Sequence, residues 1–368
     1  RRYRRAVKHP LRPIHSMDRS HSLPGGSQKS QLNYDELTIE EPIMFTVKKL
    51  AISTLLAGSV LFFPAIHAVA SVPQHVVKQQ AGGYSVQVGD TIVTAFTDGS
   101  VPQDLHALLR RTTAENTDAL LAKNFQANPV EASINAFYIA IPGHKILVDT
   151  GSGQLFGPGK GGRLIESLAT QGIKPEDITD ILITHAHSDH AGGLVKDGQR
   201  VFTRAQVYVG KPDIDFFFND ENQKKSGYDQ NYFDVAHKTL KPYLDAGKVT
   251  TFSGTEQLLP GISGTVHPGH TPGSAFYTLE SKGEKMTFVG DIIHVAAVQF
   301  PQPNVTIAYD EDQDGAARVR NAAFAEFVKN KALIAAPHLP FPGIGYVTKG
   351  ERDGYAWVPV TYTNRDAK

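Results

Sequence analysis

The chain has 368 residues, 40% hydrophobic and 20% charged, with 15 histidines and no cysteine. That length suits one or two well-cored domains, and the missing thiols exclude disulfide staples, zinc fingers, iron–sulfur clusters and cysteine nucleophiles. The 37 basic and 37 acidic residues balance, which says nothing for a nucleic-acid partner, and no basic stripe of the kind such an enzyme keeps is visible.

Residues 1–43 carry Arg1, Arg2, Arg4 and Arg5 and show no long apolar periodicity. They are expected to be a disordered or non-native leader before a true start at Met44. Residues 44–70 read as a secretory signal peptide, with Lys48 and Lys49, an apolar stretch from Leu50 to Phe63, and Ala68-Val69-Ala70 at the cleavage position. About 14 apolar residues fall short of the roughly 20 needed to span a bilayer. The expectation is therefore a periplasmic or secreted mature chain over 71–368, cleaved near Ala70 and free of a membrane span. Residues 1–70 hold 10 basic and 5 acidic residues, leaving 27 and 32 and a net charge of −5 for the rest.

From about residue 82, β-rich runs alternate with turns: Ser85 to Val88, Thr91 to Phe96, then a hairpin of Ala136 to Ile141 and Lys145 to Asp149 across Pro142-Gly143-His144. An amphipathic helix is expected near Arg163 to Thr170 and a strand over Ile178 to Thr184. Another strand precedes His267. A second hairpin pairs Ala275 to Leu279 with Met286 to Val289, and a helix runs from about Ala316 to Lys329. Strands followed by helix, twice over, predict two αβ halves packed sheet to sheet in one domain.

The segment Thr184-His185-Ala186-His187-Ser188-Asp189-His190-Ala191-Gly192-Gly193 directly follows an apolar strand and concentrates metal-capable side chains. In a tight loop, His185 and His187 can face one position while Asp189 and His190 serve a second, and the glycines permit a sharp turn into a helix. His270 in Pro268-Gly269-His270-Thr271-Pro272-Gly273, Asp291 after Val289-Gly290 and His338 after Ala336-Pro337 complete the set. These residues suffice for two divalent ions: His185, His187 and His270 on one, Asp189, His190 and His338 on the other, and Asp291 bridging. Zinc is the first expectation and manganese, iron or cobalt the alternatives, because His/Asp donors accept all four. Two such ions sharing a water would hold hydroxide near neutral pH. Asp291 is the candidate to orient it and accept its proton, with Asp189 beside it at the reacting centre. Asp149 is expected to accept a ring N–H from a ligand histidine, or to serve only as a strand-end turn.

Together these motifs resemble the metallo-β-lactamase superfamily of hydrolases, and its methyl parathion hydrolase-like branch more closely, over about residues 82–362. Asp149-Thr150-Gly151 and the histidine run are superfamily-wide. Val295-Ala296-Ala297-Val298-Gln299-Phe300 and Leu339-Pro340-Phe341-Pro342-Gly343-Ile344-Gly345 are the branch's own. The resemblance implies an α+β, four-layer αβ/βα sandwich with a binuclear metal site. It also implies hydrolysis of a small-molecule ester, lactone or phosphotriester, and a homodimer. N-acyl homoserine lactonase or β-lactamase activity, and iron-dependent redox chemistry on the same scaffold, are the alternatives. Phe156, Phe217, Tyr232 and Phe233 resemble the branch's aromatic pocket lining. His294 stands where the branch tends to carry an aliphatic residue, so it either reaches the cleft or is a hydrogen-bonded support. Ser274 replaces the last His of the family's HTPGH motif. The run Asp310 to Gly315 imitates a calcium loop, but Asn321 occupies the position that wants a bidentate Glu, and it reads as an acidic helix N-terminus.

Overall fold

The computed structural model describes residues 82–363, so the expectations for 1–43 and 44–70 lie outside the described residues. Two seven-stranded sheets follow each other along the chain, each with its strands in sequence order. The first contains β1 (Gly83–Val88), β2 (Thr91–Gln103), β3 (Val130–Ile141), β4 (His144–Val148), β5 (Asp180–Ile183), β6 (Gln206–Gly210) and β7 (Val249–Phe252). The second contains β8 (Thr255–Leu259), β9 (Ile262–Val266), β10 (Ala275–Ser281), β11 (Glu284–Phe288), β12 (Leu333–Ala335), β13 (Ile344–Lys349) and β14 (Tyr355–Pro359). In the first sheet β1 to β4 are antiparallel and β4 to β7 parallel; in the second only β11 and β12 are parallel.

Side-chain alternation turns this order into layers. Along β4 and β5, Ile146, Val148 and Leu182 face the second sheet, where they meet Tyr277, Met286 and Phe288. Their neighbours Leu147, Ile181 and Ile183 face the other way, against α1 (Leu164–Ala169), α2 (Lys211–Phe217) and α3 (Gln230–Asp245). Strands buried on both faces need no polar alternation, and the tetrapeptide of β5 is buried throughout. On the far side, Ile334 and Val347 of the second sheet pack on Phe324 and Phe327 of α4 (Gln313–Asn330). Helices, sheet, sheet and helix make the expected four-layer αβ/βα sandwich. The expected hairpins and both expected helices form. Helices α2 and α3, which the sequence reading did not single out, cover the outer face of the first sheet. Among the described residues no helix is long and apolar enough to cross a membrane.

The topology brings the chemistry to one edge. Asp149 and His185 follow the parallel strands β4 and β5, and Asp291 and His338 follow the parallel pair β11 and β12. His270 lies just before β10, whose antiparallel course starts at that same end. Side chains thus converge outside the carboxyl ends of both sets of parallel strands. The turn after His190 also depends on glycine: a Cβ on Gly193 would fall on the Thr150 carbonyl oxygen, while its N–H donates to Gly151 at 3.0 Å.

Candidate metal centre

Eight side chains meet in three groups of metal-capable atoms: His185, His187, His270 and Asp291; Asp189, His190 and His338; and Asp291, His294 and His338. His185 Nε2, His187 Nδ1 and His270 Nε2 converge with Asp291. His270 Nε2 is 3.1 Å from each of the other two nitrogens and 3.3 Å from Asp291 Oδ2. Asp291 also reaches the second group: Oδ1 is 3.3 Å from His190 Nε2, and His338 Nε2 is 3.2 Å from both carboxylate oxygens. Asp189 closes that group, 3.6 Å from His190 Nε2 and 3.5 Å from His338 Nε2. Donors about 2.0–2.1 Å from a tetrahedral zinc ion stand about 3.3 Å from one another, and the observed spacings bracket that edge. His190 Nε2 and Asp291 Oδ1 are buried without hydrogen-bond partners, as atoms reserved for a cation would be. The residues therefore fit a binuclear metal centre.

The outward nitrogen of each imidazole is held from behind, which decides which nitrogen faces the cluster. His190 Nδ1 donates to Asp149 Oδ2 at 2.9 Å, and Thr184 Oγ1 donates to the same carboxylate. Thr184 Oγ1 in turn accepts from His185 Nδ1 at 3.1 Å. His270 Nδ1 donates to Asp310 Oδ1 at 2.7 Å and His338 Nδ1 to the Ser133 carbonyl at 2.8 Å. His187 shows the opposite nitrogen to the cluster, and its Nε2 meets Tyr228 Oη at 2.7 Å. Asp149 takes the position expected of it. Asp310, Tyr228 and Thr184 were not anticipated as partners, and nothing in the local sequence marks them, because each faces its histidine only through the fold.

The electrostatics favour positive charge. Burial would raise the Asp291 carboxyl, but His190, His338, His294 and His185 hold it well below the usual carboxylate range. Burial opposes charge on His190 too, yet Asp291, Asp189 and Asp149 outweigh it and lift the imidazole well above its ordinary value. His270 is likewise raised to about 9, Asp291 and Asp310 overcoming its burial. His185 and His187 go the other way: burial first, then neighbouring imidazoles, keep them neutral, the state in which a ring nitrogen can ligate.

A model of the metallo-β-lactamase superfamily matches residues 130–338, more than half of the chain. The chain belongs to that superfamily. Among solved structures it resembles AbOPH, a hydrolase of the β-lactamase superfamily, at 34% identity and a TM-score of 0.73, covering 78% of this chain and 100% of that one. It also resembles AidC, a dizinc quorum-quenching lactonase, at 28% identity and a TM-score of 0.72, covering 77% and 99%. Metallo-beta-lactamase domain-containing protein 1 of Mus musculus is 57% identical over 49 residues, a match that spans 13% of this chain and 17% of the mouse protein.

In this metallo-β-lactamase fold a cavity of about 330 Å³ opens over the cluster, with His187, Asp189, Asp291 and His338 on its floor. Phe156, Tyr232, Asn231, Val101, Leu108 and Tyr309 wall it. Phe156 and Tyr232 thus stand where expected, whereas Phe217 and Phe233 do not line the cavity. Both are buried in the core between α2, α3 and the first sheet, because the inward faces of those helices carry them; their rings pack at 5.3 Å. The Phe217 ring stands edge-on to the His187 ring, with centroids 6.4 Å apart. Its neighbours Phe216 and Phe218 are only half-buried.

His294 takes the supporting alternative. It is buried, stacks on His338 at 5.3 Å and places Nε2 3.0 Å from Asp291 Oδ2. Burial drives its pKa to about 4, so a neutral ring donates from Nε2 to the shared carboxylate. Ser274 Oγ accepts from Thr271 N–H at 3.0 Å and closes the turn after His270. Asp213, buried beneath both ligand loops, accepts from Ala186 N–H at 3.0 Å and Gly273 N–H at 2.6 Å. Asp312 caps α4 through Gly315 N–H at 2.9 Å, as the acidic helix start requires.

Proposed function

We propose that this metal-dependent hydrolase is exported and cleaves small esters, lactones or organophosphate triesters at a pair of divalent cations, zinc being the first candidate. The split of Asp291 between two separate sets of nitrogens carries the reading, since one carboxylate then bridges two positions. His185, His187 and His270 would hold one ion, and Asp189, His190 and His338 the other. When bound, the ions supply an activated water and a Lewis acid for the substrate oxygen.

The chain's own groups do the rest. Asp291 aligns the attacking water, Asp189 on the cavity floor accepts its proton, and His294 donates to Asp291 Oδ2 and keeps it in place. The aromatic and aliphatic walls, Phe156, Tyr232, Val101 and Leu108, take up a flat or aliphatic group and exclude water from it. Tyr309 Oη already accepts from Gln103 Nε2 at 3.0 Å, which keeps its hydroxyl proton for an oxygen of the bound substrate. Export rests on the signal-like segment over 44–70.

The similarity to AidC favours a second reading, hydrolysis of an N-acyl homoserine lactone at the same site. One experiment tests both. Metal is quantified on the purified protein, and rates are measured on an aryl acetate, dihydrocoumarin, an N-acyl homoserine lactone and a paraoxon-type triester, before and after chelation. Chelator-sensitive turnover supports the general reading and the preferred substrate decides between the two. A fully metallated protein that turns over none of the four rejects it.

A further inference from the structure

His187 is the one imidazole of the cluster that presents Nδ1 inward, and its tautomer can be worked out atom by atom. Tyr228 Oη lies 2.7 Å from His187 Nε2 and 2.7 Å from the Tyr309 carbonyl oxygen. A carbonyl oxygen only accepts, so the single Tyr228 hydroxyl proton is committed to Tyr309. The oxygen must then accept from His187, which requires the proton of that ring to sit on Nε2. The Nδ1 lone pair is left facing His270 Nε2 at 3.1 Å.

The tyrosine is itself well anchored. It precedes α3, and its ring stacks on Tyr232, with centroids 4.3 Å apart and 12° between planes. Tyr232 also packs on His187 at 4.8 Å. The carbonyl that takes the Tyr228 proton belongs to the segment that supplies Asp310 to His270 and the Tyr309 side chain to the cavity. One hydroxyl therefore ties His187 to two of the chain segments that wall the cavity.

We propose that Tyr228 is a positioning residue that fixes the tautomer and direction of His187, so that Nδ1 is presented as a ready metal donor. The inference rests on the reading of His187 as a ligand. Without the hydroxyl the ring can carry its proton on Nδ1, and that proton must leave before a metal binds.

The test uses the full chain and Tyr228→Phe, which keeps the stacked ring and removes only the oxygen. Both proteins are stripped of metal and titrated with cobalt(II) against a chromophoric chelator. Wild type should take up two ions, and Tyr228→Phe should bind one of them 10- to 100-fold more weakly, in the range found for lost outer partners of metal ligands, with the other little changed. Nitrogen-15 imidazole spectra of the metal-free wild type, with the His187 signal identified by its absence in His187→Gln, should show a proton on Nε2. Equal affinities in the two proteins, or a proton on Nδ1 in the wild type, overturn the proposal while leaving the metal reading intact. A wild type that binds fewer than two ions overturns the metal reading and the proposal with it. Should Tyr228→Phe fold poorly, the wild-type spectrum alone decides.

Discussion

Asp310→Asn separates what the Asp310 carboxylate does for the metal centre from what it does for the fold. The buried group accepts His270 Nδ1–H at 2.7 Å and Ile307 N–H at 3.0 Å, and faces Arg320 Nη2 at 3.9 Å. Asparagine offers one carbonyl oxygen, so one of the two N–H donors must meet an NH2 group. An unmet buried bond to a charged partner costs about 1.5–3 kcal/mol. Removing the counter-ion of a buried guanidinium pushes toward the about 3–5 kcal/mol of a broken buried pair. Arg320 keeps its bonds to the Ile292, Pro303 and Val305 carbonyls, and 3.9 Å is a long ion pair, so the low end of that range applies. The expected loss is about 3 kcal/mol in the metal-free protein, together with a 10- to 100-fold weaker metal affinity. The Asp310 carboxyl is held below its ordinary 3.8 because His270 and Arg320 outweigh its burial. Its contribution is therefore present above the unfolded value and fades as pH falls through the lower folded value. Urea unfolding of both metal-stripped proteins at pH 6 measures the loss. A difference below about 0.5 kcal/mol, the range of ordinary surface substitutions, or an unchanged metal affinity would refute the reasoning.

His187→Ala should abolish turnover on every substrate and reduce bound metal, read by elemental analysis beside the kinetic panel; a variant with full metal content and partial activity contradicts its place in the centre. Burial raises the Asp213 carboxyl from 3.8 to about 6, so the folded state binds its proton more tightly than the unfolded chain does. Stability from this group is highest in acid and falls as pH rises from 3.8 to 6, by about 3 kcal/mol at 1.36 kcal/mol per unit. Unfolding curves for wild type and Asp213→Asn across that window should converge or cross accordingly, and parallel curves would show that Asp213 titrates normally. Phe217→Ala should cost about 3–5 kcal/mol of stability and lower all rates together, whereas Tyr232→Ala should reorder the substrate panel. Thermal melts and the panel distinguish them, and a reordered panel from Phe217→Ala would place that ring at the substrate after all.

How much of this was legible in the sequence depends on how local each feature is. His185, His187, Asp189 and His190 lie within one turn of chain, and the spacing itself says that they can share a site. Asp149 was legible because it stands at the end of an expected strand, in Asp149-Thr150-Gly151. The sheet order was legible in outline, since alternating runs and hairpin turns are local too. The partners of His270 and His187 are different. Asp310 sits in an acidic run that any helix N-terminus accounts for, and Tyr228 is one of 13 tyrosines without a distinguishing neighbour. Their roles arise when loops 40 residues apart pack together. Phe156 and Tyr232 line the cavity as expected, but Phe217 does not for a related reason: three successive phenylalanines share a composition but point in different directions, and only the packing of α2 on the first sheet shows that Phe217 points into the core.

The division of donors between the two halves of the sandwich ties the chemistry to the fold. His185, His187, Asp189 and His190 come from the loop and short helix after the first sheet's strand β5, whereas His270, Asp291 and His338 come from loops at strand ends of the second sheet. Each of the two ligand groups draws from both, and Asp291 belongs to each. A cation held at either position would therefore draw donors from both sheets, and its binding free energy would add to the packing of Leu182 and Val148 against Tyr277 and Phe288. At a free ion concentration 100 times its dissociation constant, each site would contribute about 2.7 kcal/mol to stability. The unsatisfied His190 Nε2 and Asp291 Oδ1 are then no defect of the core. They are polar atoms buried at the seam whose burial becomes favourable when a positive charge lies between the halves.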